Sequence, residues 1–307
     1  RPMTATEETA APAGGYGIPP EGPRLPAATA VGSVHLQVAD LDRTLGWYGE
    51  VLGFAAHREG PAAALGVPGG GRPLVHLRAR PGARPAPRSG RFGLYHFAIL
   101  LPDRADLGRF VRHLGRLGHD AGMADHAVSE AIYLRDPDGL GIEVYVDRPR
   151  DAWRTRGREL VMTTEPLDAD DLVAAGGEAP WSGLPAGTAI GHVHLHVGDL
   201  ARADAFYRSA LGLDKTVWSY PGALFFSAGG YHHHLGTNTW SPGPAPAEDE
   251  ARLLSWELTV PEGGADRAAD RLRAAGHAVE PLPGGGWRAG DPWGTPLHLV
   301  PPAPPRE

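Results

Sequence analysis

The sequence predicts an α+β protein made of four βαβββ units in two domains. The first observation is an internal repeat, because residues 31–54 (VGSVHLQVADLDRTLGWYGEVLGF) match residues 190–213 (IGHVHLHVGDLARADAFYRSALGL) at an offset of 159 positions. The second is the length of 307 residues, which suits two domains that each bury a core. The third is a strand, helix and further strands pattern that occurs twice in each half. A repeat of such long period indicates duplicated domains and not a solenoid.

The elements of each unit follow from alternation and from helix caps. In the first unit, residues 34–38 alternate as a half-buried strand, and Asp40 then caps a helix that ends near Gly53. A further strand is predicted at 74–77. The second unit repeats the plan with strand 95–100, a helix from Asp103 to Gly118, strand 131–134, a tight turn at 136–139 and strand 142–146. In the second half, strands are predicted near 192–197, 223–227, 231–236, 254–260 and 297–300.

The repeat also divides the chain into segments. Residues 1–30 are rich in Ala, Pro and Gly without an apolar core, which indicates a disordered arm and not a signal peptide. The predicted segments are this arm, an N-terminal paired βαβββ domain at 31–149, a connector at 150–188, a C-terminal paired βαβββ domain at 189–302 and a tail at 303–307.

Composition limits the function. The net charge of -7 comes without a basic stripe, so nucleic acid is not an expected partner, and no apolar run is long enough to span a membrane. We therefore expect a cytoplasmic protein. The chain has no cysteine, which removes thiolate nucleophiles, zinc–thiolate sites and disulfides. Any metal ion must then be held by His and carboxylate side chains.

Three motifs resemble one family. They are the first-strand segment from His35 to Tyr48, GLYHFAILLPDR at 93–104, and DHAVSEAIYLRDPDGLGIEVY at 125–145. Together they are similar to the vicinal oxygen chelate superfamily, which holds glyoxalase I, bleomycin-resistance proteins and type I extradiol dioxygenases, and most to its catechol 2,3-dioxygenase branch. The resemblance implies that each pair of units curls into a half-open mixed β-barrel with the metal inside. It also implies a homo-oligomer, as a dimer or tetramer.

The resemblance assigns the metal to His35, His96 and Glu143, which match the first-strand His of two successive units and the last-strand Glu. Two imidazoles and one carboxylate form the facial triad of non-heme Fe(II) oxygenases, which leaves adjacent positions for a catechol and O2. A single strand His is more often a hydrogen-bonded core residue, and a single strand Glu a salt-bridged edge residue. Three such groups at three matched positions favour Fe(II), with Mn(II) as an alternative.

The same resemblance assigns three residues to the substrate. His76 matches the acid/base His beside the bound catecholate, Tyr133 matches the Tyr that hydrogen-bonds a substrate oxygen, and His126 resembles a second pocket His. For His76 and His126 the ordinary alternative is a strand or loop side chain without a chemical role.

The second half departs from the motif. His194 keeps the first ligand position, Ser255 replaces the second, and His298 stands where Glu143 would be. In the segment Tyr231-His232-His233-His234, His234 aligns with His76. A second metal site at His194, His234 and His298 is therefore less favoured than a degenerate pocket.

The function that these observations predict is Fe(II)-dependent extradiol (meta) cleavage of a small catechol-type aromatic, with O2 as co-substrate. Two alternatives stay open. One is a glyoxalase-like isomerase or lyase, which normally uses a fourth protein ligand and a second carboxylate. The other is a small-molecule binder of the bleomycin-resistance kind, whose cleft four Trp residues of the second half could line. Metal content and oxygen uptake with catechol separate the three.

Overall fold

The computed structural model describes residues 8–11, 15–261 and 263–302. Strand β1 (Glu8–Ala10) comes first. The first unit consists of β2 (Ala30–Val38), α1 (Leu41–Trp47) with a π-helical turn at Tyr48–Leu52, β3 (Ala55–Glu59), β4 (Ala62–Gly66) and β5 (Val75–Ala79). The second unit consists of β6 (Gly93–Leu100), α2 (Arg104–Leu117), β7 (Gly122–Asp125), β8 (Ser129–Arg135) and β9 (Gly141–Asp147).

The connector and the second half complete the chain. The connector holds a 3-10 turn at Arg150–Ala152, β10 (Arg154–Arg156), β11 (Glu159–Leu160) and α3 (Ala169–Ala175). The third unit consists of β12 (Ala189–His196), α4 (Leu200–Asp204) with a π-helical turn at Ala205–Ala210, β13 (Asp214–Val217), β14 (Ala223–Ser227) and β15 (Leu235–Asn238). The fourth consists of β16 (Arg252–Thr259), α5 (Gly264–Ala274), β17 (Val279–Pro281), β18 (Trp287–Gly290) and β19 (Pro296–Val300).

The helices begin where the sequence places their caps. The carboxylates of Asp40, Asp103 and Asp199 accept hydrogen bonds from the backbone three residues on, which satisfies an amide that has no partner inside the helix. Gly118 ends α2 with a φ of 68°, a left-handed conformation that glycine adopts without steric cost.

The four units form two eight-stranded mixed sheets, which confirms the predicted fold class. One sheet has the order β13-β14-β15-β12-β6-β9-β8-β7 and therefore joins units 2 and 3; we call it the 2–3 sheet. The other has the order β17-β18-β19-β16-β2-β5-β4-β3 and joins units 4 and 1; we call it the 1–4 sheet. In every unit the last strand pairs in parallel with the first.

The combination of units differs from the predicted one, in which units 1 and 2 share residues 31–149 and units 3 and 4 share 189–302. The first strands pair antiparallel across the two halves, with Phe97 opposite Val193 and Val34 opposite Trp256. The repeat identifies each unit, but the strand edges that meet in space decide which units share a sheet. Consecutive units still touch, because the Tyr48 hydroxyl donates to Asp136 over 3.2 Å. Each half of the sequence thus contributes one unit to each sheet.

The largest cluster of buried hydrophobic residues lies behind the first strands. Val34, Leu36, Phe97, Val193 and Leu195 are fully buried in it. Successive side chains of a strand point to opposite faces, so the alternating His residues of the same strands face away from this core.

Part of the predicted disordered arm is structured. Strand β1 pairs with β10, the Ile18 amide donates to the Lys215 carbonyl over 2.8 Å, and Leu25 is buried. Backbone pairing and apolar burial hold this segment in place. Residues 1–7 and 12–14 of the arm, and the tail at 303–307, lie outside the described residues. Within the described part of the chain, no helix has the length and apolar character needed to cross a membrane.

Candidate active site

Two imidazoles and one carboxylate converge on one face of the 2–3 sheet. The Nε2 atom of His96 lies 2.9 Å from Oε2 of Glu143, and Nε2 of His192 lies 3.1 Å from the same oxygen. All three side chains are buried. Neighbouring ligand atoms around an ion at about 2.0–2.2 Å are themselves about 3 Å apart, so these spacings suit three adjacent ligands of one metal ion.

Strand register brings these residues together. Ala98 of β6 pairs with Glu143 of β9 on one side and with His192 of β12 on the other. His96 lies two residues before Ala98 and therefore on the same face. The Ala98 methyl group is fully buried and small, which leaves room above it for the larger side chains on both sides.

The electrostatics of the cluster fit a cation. Burial by itself would raise the pKa of Glu143, but His192 and His96 together hold it well below its ordinary range. Burial lowers the pKa of His96, and the Glu143 charge opposes this only in part, so the imidazole is neutral and keeps a lone pair. Although Oε2 of Glu143 lies 2.9 Å from the buried Nε2 of His96, no group among the described residues has the alignment of a hydrogen bond to that atom. A metal ion would satisfy that atom.

The cluster forms one wall of a cavity of about 370 Å³. This volume lies in the usual range for small-molecule sites. Its other walls are mostly aromatic and thioether side chains: Tyr95, Met123, Met162, Tyr220, Phe225 and Trp240. Neither Lys nor Arg lines the cavity within the described ranges. The site therefore suits an uncharged aromatic molecule that reaches the metal position with its polar edge.

Tyr133 and His126 form a hydrogen-bonded pair in this cavity. His126 Nδ1 donates to the carbonyl of Thr163 over 2.6 Å, so the neutral ring accepts at Nε2 from the Tyr133 hydroxyl, also over 2.6 Å. Burial, and then the Glu143 charge, raises the pKa of Tyr133 well above its ordinary value. Ala127 takes a left-handed φ of 66° directly after His126, an unfavourable conformation for alanine of the kind that often accompanies functional sites.

A second pair of imidazoles approaches the cavity from the loop after β14. His232 Nε2 donates to Asp147 over 2.8 Å, which leaves its Nδ1 to accept from His233 Nδ1 over 2.7 Å. The His233 ring lines the cavity, and its centroid lies 4.1 Å from that of His192. Burial, and then the neighbouring His192 and His232, holds the pKa of His233 well below its usual value. The remaining nitrogen of His233, Nε2, is therefore an unprotonated base.

His194 also lines the cavity but is bound by an amide. The Trp240 backbone donates to Oδ1 of Asn238 over 3.1 Å, so the Asn238 amide nitrogen donates to Nε2 of His194 over 3.0 Å. Gly236 on β15 leaves space for this ring, because a Cβ atom there would lie 2.8 Å from it. With its lone pair used by Asn238, the Nε2 atom of His194 is not available to a metal ion.

The 1–4 sheet carries a second cluster. The ligand atoms of His35, Glu257 and His298 lie within 4.8 Å of one another. His76 stacks on His35 with ring centroids 4.4 Å apart and an interplanar angle of 11°. Burial, followed by the charge of His35, lowers the pKa values of His76 and His298.

The structure therefore does not bring the three predicted ligands together. The structure brings His96 and Glu143 together, but it places His35 on the 1–4 sheet, because unit 1 pairs with unit 4 and not with unit 2. His76 moves with His35 for the same reason and lies away from Tyr133 and His126. The predicted second set is also divided: His194 lines the 2–3 cavity, whereas His298 belongs to the 1–4 sheet. His234 is buried and accepts from the Ala228 amide over 3.2 Å.

His192 and His233 were missed by the sequence reasoning. The offset of 159 aligns His35 with His194, so the repeat selected His194 and not His192 as the equivalent strand residue. A better signal was available, since His96 stands seven residues before the cap Asp103 and His192 stands seven residues before the cap Asp199. No comparable signal distinguishes His233 from its two His neighbours, because a loop and not a strand presents it.

The sequence profile of the glyoxalase/bleomycin resistance protein/dioxygenase superfamily matches residues 30–144 and 189–295. The chain belongs to this superfamily. Catechol-2,3-dioxygenase from Bacillus subtilis (strain 168) is 43% identical over 258 residues, which cover 82% of this chain and 90% of that relative.

Solved structures share the superfamily fold. Glyoxalase I from Zea mays aligns with a TM-score of 0.53 and 19% identity over 89% of this chain and 92% of that one. The cppA protein from Streptococcus pneumoniae TIGR4 aligns with a TM-score of 0.51 and 13% identity over 89% of this chain and 100% of that one. At such identities the similarity concerns the fold alone.

Proposed function

We propose that this chain is an Fe(II)-dependent extradiol (meta) ring-cleaving dioxygenase that acts on a catechol-type aromatic. The observation that carries the proposal is the convergence of His96, His192 and Glu143 at one point in an aromatic cavity. The identity of 43% with a catechol-2,3-dioxygenase over most of both chains supports the same chemistry.

The donor set favours iron over harder ions. Two neutral imidazoles and one carboxylate are the ligands of non-heme Fe(II) oxygenases, and Mn(II) accepts the same set. When bound, Fe(II) would supply a Lewis acid, redox chemistry with O2 and open coordination positions for the two catechol oxygens. Each cluster of the described residues contains one carboxylate, whereas the isomerase alternative normally uses two.

His233 is placed to handle the proton that a catechol releases on binding. Its Nε2 atom is unprotonated, and its Nδ1–H is directed to His232, which in turn donates to Asp147. When His233 takes up a proton, the positive charge is shared along this chain of hydrogen bonds to a carboxylate. The same proton can then return to an oxygen of the opening ring, as in general acid–base catalysis.

Tyr133 and His126 orient the substrate. The raised pKa of Tyr133 keeps its hydroxyl protonated, so it can donate to a substrate oxygen after leaving Nε2 of His126. The aromatic walls formed by Tyr220, Phe225 and Trp240 contact the ring faces and exclude water from the reacting carbons. Because no cationic side chain lines the cavity within the described ranges, the preferred catechol carries no carboxylate.

The test is anaerobic reconstitution with Fe(II), followed by oxygen consumption with catechol and mass analysis of the product formed under 18O2. Both oxygen atoms of O2 should appear in the ring-opened product. Glu143→Gln should lose bound iron and oxygen uptake together, because the site loses its only negative charge. Iron-loaded protein that binds catechol without consuming O2 would contradict the proposal.

A further inference from the structure

The 1–4 sheet contains a cluster that ring cleavage does not use. His35, Glu257 and His298 place their ligand atoms within 4.8 Å of one another on a different sheet from the active site. The Nε2 atom of His35 lies 3.2 Å from Oε1 of Glu257, which is close to the spacing of about 3 Å expected for two adjacent ligands of one ion.

This cluster has the same donors as the active site, in exchanged positions. The repeat places Ser33 at the position of His192 and Ser255 at that of His96. His35 and Glu257 each lie two residues beyond those serines, and a shift of two keeps a side chain on the same face of its strand. His298 takes the place of Glu143 on the last strand, so the His and the Glu have changed strands while the total of two imidazoles and one carboxylate is retained.

Glu257 is held so that one oxygen remains directed toward the cluster. Its Oε2 atom accepts from Arg72 over 2.7 Å and from the Ser33 amide over 3.1 Å. Its Oε1 atom faces His35. Partners that fix a ligand from behind in this way are a usual feature of protein metal sites.

An ion can reach the cluster from solvent. A cavity of about 440 Å³ lies beside His35 and His76, and it is also lined by His57, Glu59 and Ser255. Stacking of His76 on His35 limits rotation of the His35 ring and keeps its Nε2 beside Glu257.

We propose that His35, Glu257 and His298 bind a second divalent transition-metal cation, independent of the one in the active site. Imidazole with carboxylate suits Zn(II), Mn(II), Fe(II) or Co(II) and is a poor site for Ca(II) or Mg(II). Because this site lies on the other sheet, its ion does not take part in ring cleavage.

The experiment is equilibrium dialysis of the metal-free full chain against Co(II), with cobalt per chain measured by elemental analysis. The unchanged chain should bind about two equivalents, and Glu257→Gln and His298→Ala should each bind about one. Glu143→Gln should also retain about one, and Glu143→Gln combined with Glu257→Gln should retain none. Glu59→Gln, which removes a carboxylate of the same cavity that is not a ligand, is the matched control and should still bind about two.

Other results overturn the proposal. One equivalent in the unchanged chain that Glu257→Gln retains and Glu143→Gln loses would mean that the 1–4 cluster is an ion pair closed on itself. Two equivalents in both the unchanged chain and Glu257→Gln would place the second ion elsewhere. Glu257→Gln should retain its iron-dependent oxygen uptake, which separates a failure of this site from a failure of the ring-cleavage proposal.

Discussion

The Tyr133 hydroxyl donates to Nε2 of His126 over 2.6 Å, and the direction of this bond is fixed from the far side of the ring. His126 Nδ1 faces a carbonyl oxygen, which can only accept, so Nε2 has to be the acceptor in the neutral ring. The pair therefore keeps a protonated phenol inside the cavity without occupying a metal position.

Tyr133→Phe should lower turnover by about 10- to 100-fold while metal content stays unchanged. A hydrogen bond to a charged group contributes about 1.5–3 kcal/mol, which corresponds to that range of rates. Steady-state oxygen uptake and iron analysis on the same sample check this. Loss of iron in Tyr133→Phe would instead show that the phenol supports the metal site.

His233→Phe should reduce turnover by about 10²–10⁴-fold, because general acid–base groups typically contribute that much. Iron content should remain as in the unchanged chain. The matched control is His76→Phe, which removes the imidazole first expected in this role from the other sheet. Slowed turnover in His76→Phe with normal activity in His233→Phe would reverse the assignment.

His192→Ala should weaken iron binding by at least about 100-fold and abolish oxygen uptake, since it removes one of the three proposed ligands. His194→Ala is the matched control, because His194 lies on the same strand face as His192. This variant should retain iron, because the Asn238 amide already donates a hydrogen bond to the Nε2 atom of His194. Iron titration followed by chelator competition measures both. If His194→Ala loses iron and His192→Ala keeps it, the 159-residue alignment identified the ligand correctly.

His234→Gln should make the stability of the metal-free chain less dependent on pH. Burial, followed by the charges of His232 and His192, lowers the pKa of His234 from 6.5 to about 3. Between pH 6.5 and about pH 3, the His234 side chain is therefore protonated in the unfolded chain and neutral in the folded chain. The stabilising effect is present above about pH 6.5 and is lost as the pH falls toward 3, at about 1.4 kcal/mol per pH unit.

Urea unfolding at several pH values between 7.5 and 5 checks this. The quantity to compare is the change in the free energy of unfolding per pH unit, in the unchanged chain and in His234→Gln. His57→Gln is the control, because the His57 side chain is 78% exposed, and it should reproduce the profile of the unchanged chain. Identical profiles for His234→Gln and the unchanged chain would show that His234 titrates in the folded protein as it does in the unfolded one.

The sequence by itself determined the local structure. Alternation placed the first strands, Asp40, Asp103 and Asp199 marked the helix starts, and the repeat identified four equivalent units. The family resemblance also selected His96 and Glu143, which lie together because both belong to the same unit, whose first and last strands pair in parallel. Such features depend on neighbours close in the chain, so the local pattern of residues contains them.

The tertiary structure decided which units share a sheet, and with that which residue joins His96 and Glu143. Pairing of β6 with β12 brings His192 to Glu143, and pairing of β2 with β16 takes His35 to Glu257. Strand edges of all four units offer the same backbone hydrogen bonds, so the repeat does not distinguish one partner from another. The choice depends on how the core side chains of all four units pack against one another, which is a property of the whole folded chain.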